Sequence, residues 1–227
     1  MPNKSAGLTS RALAVFSKDL RVELRSKYAF NAILMFGITT LAVVSFTLGQ
    51  TGLSERLLAA LFWIIMFFAA MAGLAQVFIR EEETGTVLAL KLSADPTAVY
   101  IGKLLFNFSL MALISAVITP VFFIFTDAPV DNILLFVLVL ILGVVGLCAA
   151  TTIVAAIISK AGIKGALFAV LSFPILFVLL LLLVNASARV LEGATIGGIG
   201  TELQGLIAYA GVMIVASLML FKFVWQE

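Results

Sequence analysis

The chain has 227 residues, 63% of them hydrophobic, a mean hydropathy of +1.23 and a formal net charge of only +2. That composition lies far outside the range of soluble domains and gives no reason to expect a nucleic-acid partner. Histidine is absent, which removes the commonest ligand of zinc and of haem iron, and the single cysteine, Cys148, excludes an intramolecular disulfide or a cysteine cluster.

Residues 1–28 form a charged tail, too long and too charged for the n-region of a cleaved signal. Within it Leu13, Phe16, Leu20 and Leu24 recur at helical spacing, while Lys18, Arg21, Arg25 and Lys27 fall largely on other faces. Thr9 or Ser10 can cap its start. This pattern predicts a basic amphipathic helix lying on the membrane surface, either as a topology anchor or as an elbow helix that also touches a cytoplasmic partner.

Residues 29–227 then carry six apolar stretches, 29–48, 57–79, 104–125, 133–159, 166–184 and 203–224, free of charge apart from Lys222 near the end of the last. About 20 helical residues cross the roughly 30 Å hydrocarbon layer, and a charge at its centre costs about 2.5–3.5 kcal/mol. The pattern predicts an all-α polytopic membrane protein with six transmembrane helices. It also leaves the membrane interior without ionisable groups, which disfavours a secondary transporter or channel. Twelve Lys and Arg residues fall on one side, in the amino-terminal tail, the second and fourth connections and at Lys222; only Arg56 and Arg189 fall on the other. That asymmetry puts both termini in the cytoplasm. Ala69, Gly73, Gly143, Gly146, Ala149 and Ala150 are candidate close-packing positions, Pro120 and Pro174 candidate kinks, and Cys148 a small buried side chain.

The most specific segment is the connection 80–103, REEETGTVLALKLSADPTAVYIGK. It opens with the charge cluster Arg80, Glu81, Glu82 and Glu83. Gly85 then breaks or caps a helix. Thr86–Leu92 is a short helical candidate with Leu88 and Leu92 one turn apart, and the turn before Pro96 can start a further helix. A short helix held rigidly between two membrane helices can act as a lever, since a soluble partner that moves it moves both attached spans.

No phosphate-binding Gly-x-x-x-x-Gly-Lys-Ser/Thr run occurs, nor a Gly-x-Ser-x-Gly elbow. No catalytic residue or metal site is expected, and any ATP must be hydrolysed by another subunit. The external connection 185–202, with its glycine-rich run 193–200, reads as a flexible or interfacial loop.

Glu82-x-x-Gly85-Thr86, the leucines that follow, Pro96 and Gly102-Lys103 together resemble the coupling-helix loop of ABC-2-type exporter permeases. With six spans and the opening Lys18-Asp19-Leu20-Arg21-Val22-Glu23-Leu24-Arg25, the chain resembles the CcmB family, the membrane subunit of the cytochrome c maturation transporter. The resemblance implies an ABC-2-type permease architecture in a bacterial inner membrane. It implies a homodimer working with a CcmA-like ATPase and with CcmC-like, CcmD-like and CcmE-like haem-handling proteins. ATP is used through the ATPase, haem is handled within the complex, and no cofactor is bound directly by this chain. Arg80, Glu81, Glu82, Glu83, Gly85, Thr86, Leu88, Leu92 and Pro96 would form the ATPase-coupling interface. Phe16, Lys18, Asp19, Leu20, Arg21, Leu24 and Arg25 would form the elbow helix. An exporter permease for a lipid, glycan or drug is the alternative, because it shares the same loop.

Overall fold

A computed structural model describes residues 7–48, 53–74, 76–128, 130–159 and 164–226. Among them every regular element is helical. The topology residues Lys4 and Lys160 lie outside the described set.

Helix α1 spans Leu8–Ser26 and α2 spans Tyr28–Leu48, separated by Lys27 in the left-handed conformation (φ 51°). Neither Thr9 nor Ser10 caps α1; Gly7 holds that position without a side-chain bond. The second apolar stretch carries the helical segments α3 (Glu55–Gly73) and α4 (Gln76–Glu83). The acidic triplet therefore ends a helix and does not open a loop. A short helix α5 (Val87–Ser93) follows, then α6 (Pro96–Thr126), α7 (Ile133–Ile158), α8 (Lys164–Leu191), a single 3-10 turn (Ile196–Ile199) and α9 (Gly200–Gln226).

Several boundaries differ from the sequence expectation because helices run on past their apolar stretches. Helix α6 begins at Pro96, eight residues before the expected span, and α8 continues through Leu191. The expected external loop is accordingly mostly helical, and buried Ile199 pins what remains. Pro120 and Pro174 lie inside continuous helices.

Among the described residues, five stretches are long and apolar enough to cross a membrane, Glu55–Glu83, Pro96–Thr126, Ile133–Ile158, Val170–Leu191 and Ile196–Trp225. A shorter apolar stretch, Ile33–Val44, lies in α2. Large side chains such as Phe46, Ile124, Leu134 and Phe223 are exposed along these helices. A surface this apolar has lipid as its natural solvent.

Helix α7 sits at the centre, packed against α6, α8 and α9, with most of its side chains buried. Its small residues permit this. A Cβ on Gly143 would come within 2.2 Å of the Trp63 ring, and one on Gly146 within 2.9 Å of Leu179. The Trp63 indole N–H donates to Ser187 Oγ at 2.8 Å, satisfying both groups in the interior. Phe62, Phe122, Phe123 and Phe136 pack edge to face around that point, at centroid separations of 5.0–5.5 Å for Phe62–Phe122, Phe62–Phe136 and Phe123–Phe136. Cys148 is a buried small side chain in this seam.

Candidate functional site: the α5 lever and its buried charge cluster

Helix α4 ends in a Schellman motif. The Thr86 N–H donates to Glu81 O (3.0 Å) and the Gly85 N–H to Glu82 O (3.2 Å), while Gly85 takes φ +67°. That conformation is strained for residues with a Cβ, so the glycine fixes where the chain reverses. The following helix α5 buries Leu90 and exposes Leu88 (68%) and Leu92 (74%). The chain leaves it through Asp95, after which Pro96 opens α6 at a first-turn position that needs no amide hydrogen. The expected short helix is present, with a glycine-capped turn before it and a proline-started helix after it.

Beneath it lies a group of charges. Lys103, in the second turn of α6, is 0% exposed. Its ammonium donates to Glu81 Oε1 at 3.0 Å, to Asp19 Oδ2 at 3.1 Å and to the Val77 carbonyl at 2.8 Å. Those three bonds use all its hydrogens. Lys18 closes the ring, pairing with Asp19 Oδ1 at 2.8 Å and with Glu81 Oε1. The other Glu81 oxygen accepts the Thr86 hydroxyl at 2.5 Å. Two cations and two anions thus cancel, which is what makes so buried a lysine tolerable. Partial burial favours the neutral amine of Lys18, but Asp19 and Glu81 outweigh it and hold its pKa above the usual value.

Helix length explains why this cluster is compatible with a membrane. At 1.5 Å per residue the 31 residues of α6 extend about 46 Å, well beyond a hydrocarbon layer of roughly 30 Å. The turns holding Lys103 fit in the surplus, shielded by protein and not by lipid.

Gly102 lets α1 reach the cluster. A Cβ there would lie 2.7 Å from the Ala12 carbonyl oxygen and 2.7 Å from Val15 Cβ, so only glycine allows α1 this close to α6. The packed face of α1 is therefore Ala12, Val15, Asp19 and Glu23. Glu23 accepts the Phe30 N–H at 2.9 Å, serving one of the unpaired donors at the start of α2. Phe16 and Leu20 lie half-buried beside this face; Leu13 and Leu24 stay exposed, as do Arg21 and Arg25. Of the sequence pattern, Phe16 and Leu20 thus join the edge of the packed face, while Leu13 and Leu24 do not.

Of the expected coupling residues, Glu81 faces inward, whereas Glu82, Glu83, Leu88 and Leu92 face outward. Arg80 is exposed, 3.4 Å from Ser26 Oγ. Four further residues matter whose contacts sequence reasoning does not give: Arg11 and Asp95, which form an ion pair, and Gly102 and Lys103. The available signal is the acidic pair Asp19 and Glu23, one turn apart in an otherwise basic helix and in line with Ala12 and Val15.

An open cleft of about 1120 Å³ separates α1 from α4 and α5, with Lys18, Glu81, Thr86 and Leu90 on its walls. On the other side of α5, Lys91 lies 5.7 Å from the ring centre of Trp225, which stacks on Phe221. The amino-terminal helix, α5 and the end of α9 thus gather at one end of the molecule.

These features define a multi-pass, all-helical membrane protein that presents a rigidly mounted short helix at one end. The chain belongs to the CcmB family, whose model, described as CcmB protein, matches residues 10–226. Membership makes it a permease component of a haem-exporting ABC transporter of cytochrome c maturation, a membrane subunit of a typically non-catalytic kind. The family is associated with an ABC ATPase, CcmA. No curated protein matches the chain.

Proposed function

We propose that this chain is a six-span inner-membrane permease with both termini in the cytoplasm, working as a dimer with two copies of a separate ATPase. The ATPase docks on α5 and its approach, and its hydrolysis cycle drives haem delivery, or release of a haem-loaded chaperone, on the periplasmic side. The observation that carries this reading is the pair Leu88 and Leu92. Two large apolar side chains stand one turn apart on a short helix beside the exposed Glu82 and Glu83. A soluble partner that covers such a pair gains apolar burial and a charge complement at the rim. Family membership identifies the kind of partner.

The test is co-purification of the ATPase with the membrane chain and stimulation of its hydrolysis. Leu88→Asp and the pair Glu82→Ala, Glu83→Ala should each weaken both without reducing membrane insertion. Retention of both in all variants would overturn the assignment of α5. Because the chain has no histidine, any contact with haem iron would use another ligand.

A further inference from the structure

Helices α6 and α7 part along one side to leave an apolar groove of about 350 Å³. Val137 and Ile141 form its rim on α7, exposed at 38% and 48%. On the α6 side Ala112, Ala116 and Pro120 follow at four-residue spacing, so that wall carries one compact residue per turn. Thr119 lies on the floor at 9% exposure, and its hydroxyl has no hydrogen-bond partner. A second polar group stands close by. Pro120 has no amide hydrogen, so the Ala116 carbonyl lacks the bond that the fourth residue along a helix normally gives. At 1.5 Å per residue, Ala116 and Thr119 lie about 15 and 10 Å from the Thr126 end of α6, within the depth of a roughly 30 Å hydrocarbon layer.

An acyl chain would fill this volume and leave both polar groups unpaired. A transmembrane helix would satisfy them, since compact residues allow close approach and a polar side chain across the contact replaces the water that the layer lacks. A hydroxyl or amide suits the site, because it can accept from Thr119 and donate to the Ala116 carbonyl. A second copy of this chain fits less well. A two-fold contact centred here would set groove against groove and leave a void at the polar groups.

We propose that the groove between α6 and α7 seats one transmembrane helix of a different membrane subunit, held by packing on Ala112, Ala116 and Pro120 and by a hydroxyl or amide side chain paired with Thr119. The site is separate from α5 and does not depend on an ATPase docking there.

The experiment uses the full chain in its native membranes. A photoreactive residue replaces Ile141 on the groove rim or, as a control, exposed Phe223 on α9, and the adducts are mapped by mass spectrometry. Position 141 should capture a transmembrane segment of another chain that carries a hydroxyl or amide side chain, and position 223 should not. Two substitutions then test the groove through the yield of that adduct. Thr119→Val keeps the shape and removes the hydroxyl, and should lower the yield about threefold, the fold-change of an average hydrogen bond between helices in a membrane. Ala116→Leu fills the groove and should abolish the adduct. It should leave the thermal midpoint of the isolated chain unchanged, because Ala116 is exposed.

Adducts at position 141 with lipid alone, or with a second copy of this chain, would overturn the proposal. So would equal capture of the same segment at position 223, or a yield that either substitution leaves unchanged. Should Ala116→Leu fail to insert, the isosteric Thr119→Val decides the matter by itself.

Discussion

Lys103 Nζ lies 3.1 Å from Asp19 Oδ2 across 84 residues of sequence, and the lysine has no contact with solvent. The pair fixes an amino-terminal helix to the start of a membrane span, so substitutions on either helix should be felt at the other.

Replacing Gly102 with Ala places a methyl group 2.7 Å from the Ala12 carbonyl, a backbone atom that cannot turn aside. Helix α1 must lift from α6, at a cost of about 1–3 kcal/mol, the usual range for overpacking. Gly102→Val should cost more. Thermal unfolding in detergent should show the graded loss, and Glu83→Ala, on an exposed side chain at the end of α4, should leave the midpoint unchanged.

Glu81 and Glu82 are adjacent in sequence and opposite in environment, the first 7% exposed and the second open to solvent. Glu81→Gln leaves Lys103 and Lys18 facing one carboxylate, and breaking a buried pair in this way costs roughly 3–5 kcal/mol. Glu82→Gln should change stability by less than about 0.5 kcal/mol. Denaturation midpoints measured side by side test the contrast; equal effects would contradict the buried cluster.

Leu88→Asp should leave the melting temperature of the isolated chain unchanged, since the side chain is 68% exposed. Its effect should appear in ATPase affinity. Loss of an interface anchor costs about 2 kcal/mol or more, roughly 30-fold in Kd. Surface binding measurements with the reconstituted chain would read that shift.

The Arg11–Asp95 pair is weaker than the Lys103 cluster because Asp95 is 61% exposed and water screens it. Asp95→Asn should lower stability by no more than about 1 kcal/mol. A double-mutant cycle with Arg11→Gln should return a coupling of that order, diminishing in high salt.

Much of this architecture is legible in the apolar runs. The stretch 133–159 becomes α7 almost residue for residue, because a helix buried on most sides is apolar throughout and ends where polarity begins. Gly85 and Pro96 also mark α5 reliably, since a left-handed residue and a missing amide hydrogen act locally. Lys103 is not legible in this way. Its burial depends on Asp19 and Glu81, which come from two other helices, and no periodicity within α6 announces them. The same holds for α1. Phe16 and Leu20 of its regular pattern do pack, but the closest approach, at Ala12 and Val15, is set by Gly102 on a different helix.

The ring of Trp225 closes one side of α5, with Lys91 lying over it and Phe221 stacked behind. An affinity handle or fluorescent fusion joined to the carboxyl end would therefore be tethered a stacked ring away from the surface assigned to the motor subunit. Fusions at that end should interfere with assembly in proportion to their bulk, which makes exposed Asp127 or Asp131, between α6 and α7, the better place for a reporter.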